Sequence, residues 1–157
     1  MAIELVVEDG AGLPDATSYG AVEGFRQYWQ NRGVDYSQTD DEVKAQLNEA
    51  TEYINRLYPW RGIRFHATQA LEFPRHSCYD DAGVNQSGRV PVAIEVATFV
   101  AAGHLLDGGD LSAPVSNIKS KTMGPISVSY GFGEEPVRLP KVERLVSSLV
   151  KPIGVMR

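Results

Sequence analysis

The segment from Tyr53 to Phe65 has the clearest site-like pattern in the sequence, because aromatic and arginine side chains alternate along it. Aromatic rings stack on unpaired bases and guanidinium groups bind phosphates, and stacking contributes about 1–3 kcal/mol per base. An alternative interpretation places Ile54, Leu57 and Trp60 in the core and pairs the arginines with nearby acids. The first interpretation predicts contacts with single-stranded nucleic acid from Arg56, Tyr58, Trp60, Arg61 and Arg64.

Two smaller groups contain side chains that can ligate metals or transfer protons. His76, Cys78, Asp80 and Asp81 are ligand types, but their spacing matches no familiar metal site, so we expect a hydrated turn. Glu49 and Glu52 are three residues apart, so they could share a helix face. General acid–base catalysis by a pair of carboxyl groups requires such proximity. Both lie off the apolar positions of their segment, so we expect a solvated face.

Motifs typical of catalysis are missing from the sequence. It contains no GxxxxGK[ST], GxGxxG, HExxH, GxSxG or CxxC pattern. We therefore expect a protein that is not an enzyme and that uses no cofactor and no metal.

Length and composition indicate one folded domain. The chain has 157 residues, of which 43% are hydrophobic and 22% charged, which excludes wholesale disorder and collagen-like repeats. The single cysteine excludes an internal disulfide framework. No apolar run reaches the ~18 residues of a membrane helix, and the first ten residues do not resemble a signal segment, so no membrane contact is expected.

Charge is unevenly distributed along the chain. Residues 1–115 carry 17 acidic and 8 basic residues, a net charge of −9, whereas residues 116–157 carry 3 acidic and 7 basic residues, a net charge of +4. The acidic part disfavours binding driven mainly by phosphate contacts. The basic C-terminal part suits an acidic partner.

Periodicity predicts a mainly α fold, a small bundle of three to four helices with a β-hairpin and extended loops or arms. A strand is expected at Ile3–Val7 and a first helix over about 18–32, with Ser18 as a possible N-cap. Thr39 and Glu42 form a capping-box pattern before an apolar seam, which predicts a second helix over about 40–58. A third helix, apolar nearly all round, begins at Pro91 and stops at Gly108.

The remaining segments are expected to be less regular. Residues 60–88 lack periodicity and are long for a loop, so we expect a functional loop or an arm that a neighbouring subunit covers. Alternation over Ile126–Phe132, preceded by residues 115–123, predicts a hairpin, and a short helix is expected at 140–150. The chain is thus one domain: an N-terminal strand and loop (1–20), a helical core (21–109) with a long loop (60–90), a hairpin (110–139), and a C-terminal helix with a basic tail (140–157).

Several short segments follow one another in a distinctive order over residues 5–150. They are Val7–Gly10, Gly12–Ala16, Ser18–Tyr19, Ala50–Ile54, Trp60–Gly62, Gln69–Leu71, Phe73–Arg75, Val90–Pro91 and Lys121–Tyr130 with Gly124–Pro125. In this order they resemble phage proteins labelled DnaT-like single-stranded-DNA-binding proteins, which are similar in layout to the head–tail adaptor (head completion) proteins of tailed phages.

The adaptor resemblance implies a virion structural protein at the portal vertex, present in the host cytoplasm during assembly. It implies a homo-oligomeric ring of about twelve copies beneath the portal protein, a platform for the next tail or connector protein, and a channel that genomic DNA crosses without specific binding. The label implies the alternative, a single-stranded-DNA-binding protein. The adaptor resemblance assigns portal or ring contacts to the basic C-terminal part and the hairpin, namely Arg144, Lys151, Arg157, Lys119, Lys121, Ile126, Val128 and Tyr130.

Overall fold

Four α-helices, two small antiparallel strand pairs and one 3-10 turn make up the regular structure of the residues that the structure describes. The structure is a computed structural model that describes residues 2–111, 121–123, 126–128 and 137–152. This mainly α architecture confirms the predicted fold class. The helices are α1 (Val22–Gln30), α2 (Asp40–Leu57), α3 (Val92–Leu106) and α4 (Pro140–Val146), and the strands are β1 (Ile63–Arg64), β2 (Arg75–His76), β3 (Lys121–Met123) and β4 (Ile126–Val128).

Helix α2 begins and ends close to where its local pattern predicts. The Thr39 hydroxyl accepts the backbone N–H of Glu42, and the Glu42 carboxylate accepts the backbone N–H of Thr39, so the capping box is complete. Its apolar seam, from Val43 to Leu57, is buried along the whole helix. These interactions are local, which is why the sequence alone identifies them.

The N-terminal region departs from its prediction at two points. Ile3–Val7 forms no strand, and only one isolated bridge joins Val7 to Ser18. Helix α1 begins at Val22 instead of near Ser18, and Ala21 is its N-cap. The Ser18 hydroxyl donates to the carbonyl of Gly20 and accepts its N–H, so it stabilises a buried turn and does not cap the helix.

Helix α3 is the central element, because it packs against α1, α2 and α4. Its close approach to α1 depends on Gly103, where an added Cβ would lie 2.6 Å from the indole of Trp29. The Trp29 indole N–H donates to the Phe99 carbonyl, which fixes the ring against α3. Glu95, half-buried on the same helix, has its pKa raised by desolvation.

The segment between α2 and α3 folds back onto its own chain. Leu71, Phe73 and Cys78 are buried in the same core as the helices, and β1 pairs with β2 through Ile63 with His76 and Arg64 with Arg75. Residues 60–88 therefore do not form an extended arm, and whether a neighbouring subunit also contacts them stays a prediction. Contacts distant in sequence, which periodicity does not reveal, bury the segment.

Arg75 holds this segment together from inside. Only 7% of the residue is exposed, and its guanidinium donates to the carbonyls of Arg61 (2.8 Å), Gly62 (2.9 Å) and Glu72 (3.1 Å). It also forms an ion pair with the Glu72 carboxylate at 2.9 Å. A buried guanidinium with four partners satisfies carbonyls that a loop would otherwise leave unpaired.

The C-terminal part contains the second hairpin and α4. Strands β3 and β4 form a two-strand antiparallel hairpin, as predicted, and Lys121 lies opposite Val128. Helix α4 is followed by a 3-10 turn at Ser147–Leu149, and Val142, Val146 and Leu149 enter the core. The predicted contact residues Lys119, Tyr130 and Arg157 lie outside the described residues.

Candidate nucleic-acid interface

The aromatic residues of the predicted binding segment are divided between the core and the surface. Trp60 is 3% exposed, and its ring packs edge-on against Phe73 with a centroid distance of 5.3 Å. Its indole N–H donates to the Asn55 carbonyl. The antiparallel bridge between Trp60 and Val150 adds a cover from the C-terminal segment. Trp60 therefore presents no face on which a base could stack.

Tyr58 is half-buried and engaged with the chain around α4. Its hydroxyl donates to the Glu143 carboxylate at 2.8 Å, and the Arg138 guanidinium lies 5.7 Å from its ring centroid. Burial, followed by the bond to Glu143, raises the pKa of Tyr58. This residue joins α2 to α4, which leaves it little freedom to bind a ligand.

The three predicted arginines have different environments. Arg61 donates to the carbonyls of Val150 (3.0 Å) and Tyr79 (3.1 Å) and pairs with Asp81. Arg56 is exposed on α2 and forms no ion pair among the described residues. Arg64 is exposed in β1, and its guanidinium donates to the carbonyl of Gln69. Only Arg56 and Arg64 thus present exposed cationic side chains to a ligand, and they lie on different elements.

An exposed stack of two rings lies on the hairpin that β1 and β2 form. The Phe65 ring stacks on the imidazole of His76 with a centroid distance of 4.0 Å and an interplanar angle of 28°. Phe65 is half-buried, whereas His76 is exposed, so the imidazole is the outer ring of the pair. Ile63, opposite His76, is 66% exposed. The arrangement leaves a flat ring open to a third stacking partner.

One imidazole and two exposed arginines lie close to this stack along the chain. His66 packs edge-on against Phe65 at 5.2 Å. Arg64 is opposite Arg75, on the other face of the strand pair from Ile63 and His76. Arg89 follows Gly88, where an added Cβ would lie 3.9 Å from the Phe65 ring, and its guanidinium donates to the Asn85 carbonyl at 2.9 Å. We call Arg64, Phe65, His66, His76 and Arg89 together the β1–β2 surface.

The acids packed behind the β1–β2 surface are engaged in internal contacts. Glu8 is buried, and its carboxylate accepts the backbone N–H groups of Gly10, Gly12 and Leu13 at 2.8–3.0 Å. Glu72 pairs with Arg75. Their charges are therefore partly balanced by these contacts.

A glycine positions β1 against β2. Gly62 has φ +77°, and a Cβ at this residue would lie 2.1 Å from the carbonyl oxygen of His76. Only glycine fits this close approach. The stack of Phe65 on His76 thus depends on residue 62 having no side chain.

Three exposed cations lie on α4 and in the segment that follows it. Lys141, Arg144 and Lys151 are exposed, and Glu143, the acid within α4, faces Tyr58 and Arg138. The Lys141 ammonium lies 5.6 Å from the ring centroids of both Tyr28 and Trp29. We call Lys141, Arg144 and Lys151 the basic C-terminal face. Lys121, Ile126 and Val128 of the predicted contact set lie in β3 and β4.

The remaining candidate groups do not converge on a site. Cys78 is buried, and desolvation raises the pKa of its thiol. The Asp80 carboxylate accepts the N–H groups of Ala82 and Val84, and bonds from the 82–86 turn lower its pKa. Glu49 and Glu52 are exposed. Within the described ranges, no three His, Cys, Asp or Glu side chains lie close enough to hold a metal ion.

His76 and Arg89 were missed as site residues by the sequence analysis, for a physical reason. They lie 11 and 24 positions after Phe65, and only the pairing of β1 with β2 and the turn at Gly88 bring them to it. The available signal was the glycine at 62 beside an aromatic and arginine pattern, which indicates a close backbone approach.

A family model described as "Putative DnaT-like ssDNA binding protein" matches residues 3–157. No curated protein and no solved structure matches the chain. Among the described helices, none has the length and apolar character needed to cross a membrane.

Proposed function

We propose that the chain, which belongs to the family described as "Putative DnaT-like ssDNA binding protein", binds single-stranded DNA through its β1–β2 surface. The observation that carries the proposal is the exposed His76 ring stacked on Phe65 at 4.0 Å. A base stacks on the outer face of the imidazole, and the exposed guanidinium groups of Arg64 and Arg89 exchange their carbonyl partners, Gln69 and Asn85, for the flanking phosphates. This site keeps Arg64 of the predicted set and replaces Trp60, which is buried.

The acidic character of the chain makes this binding weak and sensitive to salt. A surface with two arginines neutralises about two phosphates, so the observed affinity falls with a small salt slope. Stacking then provides most of the free energy of binding. We expect little sequence preference, because every base has a stacking face.

Fluorescence anisotropy with a labelled oligothymidine in about 50 mM salt tests this function. Replacing His76 with alanine removes one stacking partner, so we expect the dissociation constant to rise about 5- to 150-fold, the equivalent of ~1–3 kcal/mol. Tyr79→Ala is the matched control, because Tyr79 is also an exposed ring and lies outside the β1–β2 surface. A wild-type chain that binds no oligonucleotide, or equal losses in the two variants, would refute the proposal.

A second candidate function is a structural one, the ring-forming head–tail adaptor of a phage virion. The observation that favours it is the separation of charge: residues 1–115 carry −9 and residues 116–157 carry +4. We propose that in this role Arg144 and Lys151 contact an acidic portal protein or a neighbouring copy, that the next tail protein docks on the ring, and that no catalysis occurs. Such an adaptor lets genomic DNA slide past, whereas the first function requires DNA to be held.

Negative-stain microscopy or mass photometry in the presence of portal protein tests the second function. Rings of about twelve copies on the portal are expected. A chain that stays monomeric and does not bind portal would contradict it. Because portal assembly and oligonucleotide binding are measured separately, either function can fail without the other.

A further inference from the structure

We infer that the cleft between α2 and residues 70–72 holds a second nucleotide of the single strand that stacks on His76. The inference rests on the first proposed function and adds a base-binding cleft to the β1–β2 surface. It also gives a role to Arg56, which belongs to the binding set predicted from sequence and lies outside that surface.

The cleft has the size and lining of a site for a small polar ligand. Its volume is about 450 Å³, within the ~300–1,000 Å³ that ligand sites occupy. Ala16 and Leu71 supply a buried apolar part, against which the face of a base can lie. The polar lining includes Glu52, Asn55 and Arg56 of α2.

Asn55 provides an oriented hydrogen-bond donor in this cleft. Its side-chain oxygen accepts the hydroxyl of Tyr19 and the backbone N–H of Glu72, the latter at 3.3 Å, and these two bonds fix the amide plane. The amide NH2 group has no acceptor among the described residues. Each base edge carries both donors and acceptors, so a base in the cleft accepts from Asn55 and donates to the exposed carboxylate of Glu52.

Two contacts place the cleft beside Arg64 of the β1–β2 surface. The Arg64 guanidinium donates to the carbonyl of Gln69, the residue before the cleft-lining Ala70. Arg75, opposite Arg64 in β2, donates to the carbonyl and the carboxylate of Glu72, which also lines the cleft. A strand that stacks on His76 and bends past β1 therefore reaches Arg64 and then the cleft.

The acids around the cleft have cations beside them. Arg56 is exposed four residues after Glu52, on the same stripe of α2. Glu72 pairs with Arg75 at 2.9 Å. These four charges offset one another, and Arg64 adds a positive charge at the opposite side of the cleft from Arg56. The two exposed guanidinium groups thus bind the phosphates on either side of the base that the cleft holds.

Two variants and a control test the cleft in the full chain. Arg56→Gln removes the cation on the α2 side, and Ala70→Leu enlarges an exposed side chain of the lining. With a labelled oligothymidine of about ten nucleotides in about 50 mM salt, we expect each variant to raise the dissociation constant about 3- to 10-fold. Arg144→Gln is the matched control, because Arg144 is an exposed cation of the basic C-terminal face, and its dissociation constant should stay within about twofold of the wild type.

The salt dependence separates the roles of the two sides of the cleft. Arg56→Gln loses one phosphate contact, so the slope of log K against log salt should become about 0.7 less steep. Ala70→Leu removes room for the base and no charge, so its slope should equal that of the wild type. The side-chain NH2 signals of Asn55 in NMR spectra of the wild type should shift during the same titration, and they decide the matter if Ala70→Leu does not fold.

The outcomes distinguish this inference from the function on which it rests. Wild-type affinity in both cleft variants, together with a weakened His76→Ala, would overturn the cleft and leave DNA binding by the β1–β2 surface standing. A loss confined to Arg56→Gln, an equal loss in Arg144→Gln, or Asn55 signals that do not move would also overturn the cleft. A wild-type chain that binds no oligonucleotide would refute both.

Discussion

Replacing Arg75 with methionine tests whether residues 60–90 are held by their own chain. The guanidinium makes four bonds of 2.8–3.1 Å, three to backbone carbonyls and one to the Glu72 carboxylate. Removing one partner of a buried ion pair costs about 3–5 kcal/mol. Glu72 is partly exposed and can regain water, so we expect the lower end, a loss of about 3 kcal/mol in the free energy of unfolding.

Urea unfolding followed by tryptophan fluorescence measures this loss, since Trp60 lies directly behind the affected segment. Arg75→Lys keeps the charge but not the planar fork, so we expect an intermediate loss of about 1.5–3 kcal/mol. Arg56→Met is the matched control, because Arg56 is exposed, and its effect is expected to stay within about 0.5 kcal/mol. A loss below about 1 kcal/mol for Arg75→Met would refute the argument that this side chain organises the segment.

Three further predictions concern the helices. Gly103→Ala places a Cβ 2.6 Å from Trp29, and we expect about 1–3 kcal/mol of destabilisation in chemical denaturation; an unchanged midpoint contradicts this. Thr39→Ala breaks the capping box with Glu42 and should cost about 1 kcal/mol in the same assay, whereas no loss argues against the cap. Desolvation raises the pKa of Glu95, so the ionised carboxylate destabilises the folded state at pH values above that pKa. We therefore expect Glu95→Gln to raise the melting temperature at pH 7 and to leave it unchanged well below pH 4.5. Equal changes in melting temperature at both pH values would contradict this.

The parts of the fold that sequence predicted depend on interactions between near neighbours. The capping box of α2 joins residues three apart, and its seam repeats every three or four residues. Strands β3 and β4 pair residues that are close in sequence, with Met123 opposite Ile126. Such patterns are complete within a short window, so they can be identified before the tertiary structure is known.

The parts that sequence did not predict depend on partners far along the chain. Arg61 binds the carbonyl of Val150, 89 residues away, and this contact together with the Trp60–Val150 bridge closes the predicted binding segment. Ser18 was assigned as a cap because of its residue type, but its hydroxyl bonds to Gly20. Of the β1–β2 surface, only Arg64 was predicted from sequence, in a segment that ends at Phe65, and the ring stack of Phe65 on His76 required the fold.

The two proposed functions depend on different surfaces, which makes them separable in one protein. The β1–β2 surface carries the ring stack, whereas Arg144 and Lys151, proposed to contact the portal protein or a neighbouring copy, lie on and after α4. Variants at His76 should leave self-association unchanged. In an Arg144 variant, His76→Ala should still weaken DNA binding by the same factor as in the wild type.

Mapping amide chemical shifts during titration with an oligothymidine tests the central claim most directly. We expect the largest changes at residues 63–66, 75–76 and 88–89, which surround the stack of Phe65 on His76. Changes confined to residues 138–151, or none at saturating oligonucleotide, would contradict the assignment of DNA binding to the β1–β2 surface.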